Sequence, residues 1–435
     1  MKINFLHITF FTAIIIFGFS FSKKKFSDPN KEKLLIEVVK YVVEKGHYNS
    51  IEIDDYISEK IFYSYIEQLD AQKRFFLQSD IRQFEKYKFK LDDQLKDHDL
   101  TFFDLVFKTS RERISEVKGY YNDIMENGFD FSSVENIDLD FENKSFAKSK
   151  NEIKNRWRKQ LKYSTLDILT LKLGDSIKII DGKTLDDSMS LIKKNTEDFF
   201  DYISEMDRED WFANYINAFL NQLDPHTVYF NPDDKERFDT NISGKFNGIG
   251  ARLQKTEGAV KIVDIIIGGP IWKDKLLDVG DIILKVAQEN EDPVDIIGMK
   301  LDDAIKLIKG PADSVVKLTV KKIDGEIEDV SIKRGLVELE ELYAKSTLIN
   351  KDDKNYGYIS LPKFYVDFSN KNSRNSANDV KNEIIKLKNN GISGLILDLR
   401  NNGGGALQTV VDMTGLFIER GPIVQVKSTG NRNHI

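Results

Sequence analysis

The 435-residue chain contains no cysteine. That removes a thiol nucleophile, a cysteine-based zinc site and any disulfide framework. It also lacks an excess of positive charge: 64 Lys and Arg stand against 71 Asp and Glu, a net of −7. Binding a phosphate backbone needs a concentrated basic face, so nucleic acid is not an expected partner. The five histidines (His7, His47, His98, His226 and His434) show no metal-ligand spacing and no adjacent nucleophile pattern, and read as surface or satisfied polar residues. The acidic pairs Asp92-Asp93 and Asp302-Asp303 read as helix-start or solvated charges. No serine sits in a recognisable nucleophile elbow. Internal repeats and low-complexity tracts are absent, and no apolar run reaches the ~20 residues of a membrane span.

What is present is a charge-rich, aromatic-rich chain, with 31% charged residues, 29 Phe and 16 Tyr. At ~150 residues per domain the length fits about three domains. The N-terminus has Lys2, an apolar run from Phe5 to Phe19, then Ser20-Phe21-Ser22 and a Lys23–Lys25 cluster. This is the layout of a signal peptide cleaved after Ser22, with an uncleaved anchor as the alternative. No cysteine follows the run, so no lipoprotein anchor is expected.

From Ser27 to about Thr240 the pattern is helical. Asp28-Pro29 forms a start signal. Leu34, Leu35, Val38, Val39, Val42 and Val43 then recur on one face up to Gly46. Ile53, Ile57, Ile61, Tyr65 and Leu69 predict a second helix, and others are expected around 100–125, 150–161 and 191–223. The stretch Arg156-Trp157-Arg158-Lys159 reads as a solvated helix face or a binding patch. From about Asn241 to Gly335 short strands are punctuated by Gly268-Gly269-Pro270, Gly280-Asp281 and Gly310-Pro311. They surround a single prominent helix, Leu301–Lys309, in a small β-sandwich-like module. From Tyr356 the pattern is α/β, with Gly394–Arg400 as a strand buried on both faces, Ala406–Ile418 as a helix and Ile423–Val426 as a strand. The fold class is therefore multi-domain α+β.

Two places can carry chemistry. Gly248-Ile249-Gly250-Ala251 enters a strand, and glycines at alternate positions let successive N–H groups converge on a carboxylate. The same pattern also serves as a plain turn. In the helix after it, Leu301, Ala304, Ile305 and Ile308 form the core stripe. Leu307 lies roughly 110° from the middle of that stripe, where it could meet the last side chain of a bound C-terminus or simply be exposed. The second place is Leu399-Arg400-Asn401-Asn402-Gly403-Gly404-Gly405-Ala406, a strand, a Gly-rich turn and a helix start. Such a device holds a phosphate or a developing oxyanion, or lets strand and helix pack closely. Ala406-Leu407-Gln408 replaces the Gly-Lys-Ser/Thr of a phosphate loop, which favours the oxyanion.

The order of these motifs resembles the tail-specific (carboxy-terminal processing) protease family. Leu69 to Asp80 and Asp224-Pro225-His226-Thr227 are similar to its helical N-terminal region. Asn247 to Leu253, Gly268-Gly269-Pro270, Val279-Gly280-Asp281 and Leu301 to Pro311 are similar to its PDZ domain. Gly357 to Tyr365, Leu397 to Leu407 and Gly415 to Val426 resemble the start of its peptidase core.

The resemblance implies a signal peptide at 1–22, a helical domain at 23–240, a PDZ domain at 241–335 and an incomplete peptidase core at 336–435. It implies a periplasmic serine endopeptidase with a Ser–Lys dyad, acting on proteins through apolar C-terminal tails, without metal or organic cofactor and with a possible adaptor protein. Ile249, Gly250 and Ala251 would hold the tail carboxylate, Leu307 would line the side-chain pocket, and Gly405 would supply the oxyanion-hole N–H. The dyad itself is expected beyond Ile435, and Lys427 and Ser428 do not match it. The 435 residues alone are therefore expected to be inert in catalysis, and the alternative reading is a peptide-binding or adaptor protein.

Overall fold

The computed structural model describes residues 29–48, 51–173, 182–256, 258–289, 291–370, 372–427 and 433–434. The segment read as a signal peptide, the helix-start residue Asp28, the turn residue Glu257 and Ser428 lie outside them. The described chain forms two units. One comprises residues up to Lys45 with Glu52–Ile192 and Asp207–Ala218, the other Gly46–Ile51, Lys193–Met206 and the chain from Phe219.

The first unit is helical, as its 3.6-residue periodicity dictates. It contains α1 (Pro29–Gly46), α2 (Asp55–Asp70), α3 (Gln78–Phe84), α4 (Leu91–Asp97), α5 (Thr101–Asn127) and α6 (Lys150–Leu173). On α1 the inward line is Glu32, Ile36 and Val43, while Leu34, Val38 and Val42 are about half exposed. The expected face is rotated because Glu32 is buried in a bidentate pair with Arg208, at 2.8 and 2.7 Å. The aromatic residues form one interlocked core: Phe62 meets Phe102 at 5.9 Å, Tyr65 meets Tyr215 at 5.2 Å and Phe103 meets Phe212 at 5.6 Å. At the end of α2, the buried Asp70 accepts the main-chain N–H groups of Arg74, Phe75 and Phe76 at 2.8, 2.9 and 2.8 Å. Burial outweighs these bonds and pushes its carboxyl up to about 6. Asp92 and Asp93 stand in the first turn of α4, as expected of helix-start charges, and Asp92 is buried and paired with Lys96 at 2.9 Å.

One long helix was expected at 191–223, and two are found, α7 (Gly182–Glu205) and α8 (Arg208–Leu220). Asp207 divides them. Its carboxylate accepts the Glu209 and Asp210 N–H groups, and Asp210 accepts the Asp207 N–H in return, so a reciprocal cap starts α8.

In the second unit, α9 (Pro232–Ser243) is capped by Asn231 and closed by Gly244. The chain then enters β1 (Lys245–Gly248), β2 (Ala251–Thr256), β3 (Ala259–Ile265), α10 (Pro270–Asp274), β4 (Ile282–Gln288), β5 (Val294–Asp295), α11 (Leu301–Ile308), β6 (Val315–Lys321), β7 (Ile327–Lys333) and β8 (Gly335–Glu338). β1 and β8 pair with each other as an antiparallel ribbon. Between them runs an antiparallel sheet in the order β2-β3-β4-β6-β7, with β5 added beside β4. Its core is Ile249, Val260, Ile262, Ile283, Val286, Leu318, Val320 and Ile332, closed by Ala304 and Ile308 from α11. Buried Asp281 in this module is paired with Lys322 at 2.6 Å.

Beyond it, β9 (Lys345–Lys351), β10 (Lys354–Ser360), α12 (Ser376–Asn389), β11 (Gly394–Asp398) and α13 (Leu407–Thr414) follow, then the short pair β12 (Val426–Lys427) and β13 (Asn433–His434). β11 is the outer strand of the sheet β11-β10-β9. It is not buried on both faces: Leu395 and Leu397 pack toward α12, whereas Ile396 on the opposite face is 50% exposed. Among the described residues α12 packs on one face of this sheet, and on the other Ile396 stays open, so the apolar run is half covered. α13 is shorter than expected, with Ala406 as its cap, and the strand expected at Ile423–Val426 pairs only from Val426.

A Cβ placed on Gly357 of β10 would lie 2.8 Å from Leu387 and 3.0 Å from Leu395. Gly357→Val is therefore expected to cost about 1–3 kcal/mol through overpacking against α12. Urea unfolding checks this, and an unchanged midpoint would show that the helix shifts freely.

Candidate functional site

The loop between β1 and β2 is shaped by a backbone crossing. Gly250 has φ +87°, and a Cβ there would lie 3.0 Å from Gly269 Cα. The Ile249 and Gly250 carbonyls face the 266–271 turn and accept the N–H groups of Ile271 and Ile266 at 3.0 and 2.9 Å. With both carbonyls used on that side, the two N–H groups have no acceptor among the described residues. Adjacent main-chain donors without an acceptor can hold an anion such as a carboxylate. Ala251 continues from it as the first residue of β2.

β2 is the edge of its sheet, so one row of its main-chain groups is open for an added strand. Ala251 and Leu253 of β2 and Leu307 of α11 are partly buried hydrophobics on the rim of the module's core. The structure thus brings Ile249, Gly250, Ala251 and Leu307 into one module. It alters one detail of the helix: Ile305, expected in the core stripe, stays outside the core cluster, while Leu307 packs against it. The helix is short, so its orientation is decided by its C-terminal anchor.

That anchor was not picked out from the sequence. Arg334, 2% exposed, donates to the carbonyls of Leu307 and Ile308 at 3.0 and 2.8 Å, to Gln288 Oε1 at 2.7 Å and to Ser314 Oγ at 3.0 Å. Gln288 Nε2 also donates to the Leu307 carbonyl at 2.9 Å. Burial without a carboxylate partner lowers the affinity of this guanidinium for its proton. The available signal was an arginine closing the alternating strand Ile327–Lys333, where an inward cation needs several acceptors.

The second place, the Gly-rich turn, follows β11. Asp398 staples its start: it accepts the Arg400 N–H at 2.9 Å, pairs with the Arg400 guanidinium at 2.8 Å and accepts the Tyr358 hydroxyl. Arg400 and Tyr358 together hold its carboxyl well below the usual carboxylate range. Asn402 then bridges the turn, donating to the Leu361 carbonyl at 2.9 Å and accepting the Gly404 N–H at 2.8 Å. The Phe364 N–H donates to the Gly404 carbonyl and the Ala406 N–H to the Phe364 carbonyl, at 3.0 and 2.9 Å. Because neighbouring peptides in an extended segment alternate direction, the Gly405 N–H faces away from Phe364. It has no acceptor among the described residues, and the residue is exposed beside the first turn of α13. The geometry suits an anion or oxyanion donor.

A cleft of about 760 Å³ lies along α9, β1 and the 366–369 segment and contains none of the site residues above. Its four lysines are all paired: Lys235 with Asp239 at 2.5 Å, Lys245 with Asp367 at 2.7 Å, Lys306 with Asp233 at 2.5 Å and Lys309 with Glu236 at 2.8 Å. Among the histidines, His47 is satisfied by Asp224 and Thr227 at 2.7 and 3.0 Å.

Comparison with known proteins places these pieces. The family descriptions "Tail specific protease N-terminal domain", "PDZ domain" and "Peptidase family S41" match residues 38–233, 239–321 and 355–434. A "Tail-specific protease" of Haemophilus influenzae is 32% identical over 394 residues, covering 89% of this chain and 54% of that protein. The "Carboxy-terminal processing protease CtpA" of Bacillus subtilis is 31% identical over 229 residues, covering 52% of this chain and 45% of that one. The chain thus spans about half the length of these curated relatives. A solved PDZ domain of a carboxy-terminal protease from Vibrio cholerae, in complex with peptide, is 43% identical and covers 22% of this chain and 99% of that one, with a TM-score of 0.21. The three matches, in this order along one chain, and the Haemophilus relative place the chain in the CtpA-like tail-specific protease family, a family of serine-type peptidases.

Proposed function

We propose that this chain captures the free C-terminal tail of a protein as an added strand on β2. The tail carboxylate would sit on the N–H groups of Ile249, Gly250 and Ala251, with its last apolar side chain against Leu307. The observation that carries this is the open edge of β2, headed by two unused N–H groups and flanked by Leu307. The activity served is that of a periplasmic serine endopeptidase selecting proteins by apolar tails, with Gly405 donating to the oxyanion. The apolar run Phe5–Phe19 supports export, and the family supports the peptidase.

The 435 residues by themselves bind rather than cleave. A Ser–Lys dyad needs an uncharged lysine as base. Lys245 donates to Ser373 Oγ but is also paired with Asp367 at 2.7 Å. Burial raises the Asp367 carboxyl, and hydrogen bonds from Lys245 and Ser369 outweigh it and bring it down to about 2. That carboxylate holds Lys245 in an ion pair and does not leave it to the serine. Lys162, 3.3 Å from Ser133 Oγ, is likewise held by Glu135 at 2.9 Å.

The test is fluorescence anisotropy with a labelled peptide ending in two apolar residues. Amidating its C-terminus removes the charge-assisted bonds, worth ~1.5–3 kcal/mol, and is expected to weaken binding at least ten-fold. Leu307→Asp is expected to do the same. Equal binding of acid and amide would sink the carboxylate assignment, and cleavage of the peptide by these 435 residues would sink the binding-only reading.

A further inference from the structure

The stretch Arg156-Trp157-Arg158-Lys159 is not a solvated helix face. Trp157 is buried, donates its indole N–H to the Arg74 carbonyl at 2.9 Å and carries the Arg74 guanidinium 4.4 Å above its ring. With Trp157 turned inward, Arg156 and Lys159 of α6 are brought to the wall of a pocket of about 320 Å³ within the helical unit. The opposite wall is the 136–144 segment, which contributes Asn136, Asp138, Phe141 and Lys144.

The charge in this pocket is unbalanced. Its cations are Arg74, Lys144, Arg156 and Lys159, and its anions are Asp138 and Glu152. Glu152 is committed to Arg156 at 2.6 Å. The guanidinium of Arg156 also donates to the carbonyls of Lys73 and Ser145, at 2.7 and 2.8 Å, so it is fixed in place and contributes field rather than spare donors. The two lysines differ. Lys144 and Lys159 are each tied to a main-chain carbonyl, of Asp138 and Asn136, both at 2.8 Å, and not to a carboxylate. A carbonyl orients an ammonium without cancelling its charge, and each ammonium retains two donors. Burial first, and then the nearby Arg156, lower the affinity of Lys144 for its proton, with Asp138 and Glu152 opposing them. Lys144 also lies 5.2 Å over the ring of Phe141, which makes an apolar floor beside the charge.

We infer that this pocket of the helical unit binds an acidic side chain of an extended peptide, its carboxylate between the Lys144 and Lys159 ammonium groups. The carboxamides of Gln72, Asn155 and Gln160 on the same walls supply the donors and acceptors that flanking peptide groups need. The volume suits one or two residues, not a polyanion, and the net charge of −7 speaks against nucleic acid. The site is independent of the β2 edge and recognises an internal acidic position rather than a chain end.

The test uses the 435-residue chain and a rhodamine-labelled peptide with two adjacent glutamates and an amidated C-terminus, which denies it the carboxylate cradle. Its counterpart carries glutamines. The glutamate peptide is expected to bind at least ten-fold more tightly, and to weaken several-fold between 50 and 500 mM salt. Lys144→Met with Lys159→Met, which keep the side-chain bulk, are expected to erase the preference while leaving the far-ultraviolet circular dichroism spectrum and the binding of apolar-tailed peptides unchanged. Leu307→Asp is expected to leave glutamate-peptide binding intact. Equal binding of the two peptides, or full affinity in the double variant, would overturn the assignment. So would loss of binding in Leu307→Asp, which would put the peptide in the groove instead. Displacement by inorganic phosphate as effective as by unlabelled peptide would make this a general anion site and also overturn it.

Discussion

Gly405→Ala is expected to lower stability by roughly 3–5 kcal/mol, the sum of a hard overlap and an unfavourable backbone conformation. Gly405 has φ +148°, and an added Cβ would lie 2.1 Å from the Phe364 carbonyl oxygen and 2.7 Å from its carbon. Both obstacles are main chain, so no rotamer change relieves them. The Phe364 carbonyl also accepts the Ala406 N–H, so any retreat breaks the bond that leads into α13. Gly403→Ala is the matched control, since a Cβ there meets nothing within 4 Å. Guanidinium unfolding of the two variants, followed by far-UV circular dichroism, measures the difference. Equal midpoints would mean that the turn is loose enough to accept a side chain, and the directed N–H of Gly405 would lose its structural basis.

Asp70 should set a pH dependence of comparable size. Its carboxyl titrates at about 6 when folded, against 3.8 for the ordinary value, because burial opposes the charge more than three N–H groups support it. Below about pH 4 both states hold the proton. As pH rises toward 6 the unfolded chain releases it and the folded chain does not, so stability falls across that window by up to about 3 kcal/mol and is level above it. Asp70→Asn has no proton to release, so the variant's stability relative to wild type should climb from pH 4 to pH 6. The variant should also be less stable than wild type at pH 4, because its amide nitrogen cannot accept one of the N–H groups of Arg74, Phe75 and Phe76. Urea titrations at half-unit pH steps test both statements. A wild-type-minus-variant difference that does not change between pH 4 and 6 would place the Asp70 titration outside this window.

The parts of this fold readable from sequence were those governed by local rules. Gly250 and Gly405 could be singled out because only glycine tolerates their backbone angles, and such positions cluster in short motifs. The short strands expected between Asn241 and Gly335, with the helix from Leu301 among them, are found there. The errors arose where a distant partner decided the outcome. The inward face of α1 depends on Arg208, more than 170 residues away, and the burial of Trp157 depends on the Arg74 carbonyl. The coverage of β11 depends on which neighbours pack on its sheet, which an apolar run cannot specify. The break at Asp207 was local and could have been read, since an aspartate followed three positions later by another is a capping pattern.

Arg334 holds α11 by the carbonyls of Leu307 and Ile308, never by their side chains. The frame of the groove and the surface it offers are therefore separately specified. A change of residue type at 307 alters the size and polarity of the pocket wall without moving the helix that carries it. Under the proposed capture of a chain end against Leu307, a lineage would exchange one preferred tail for another by single substitutions at this position while the helix stays held by Arg334.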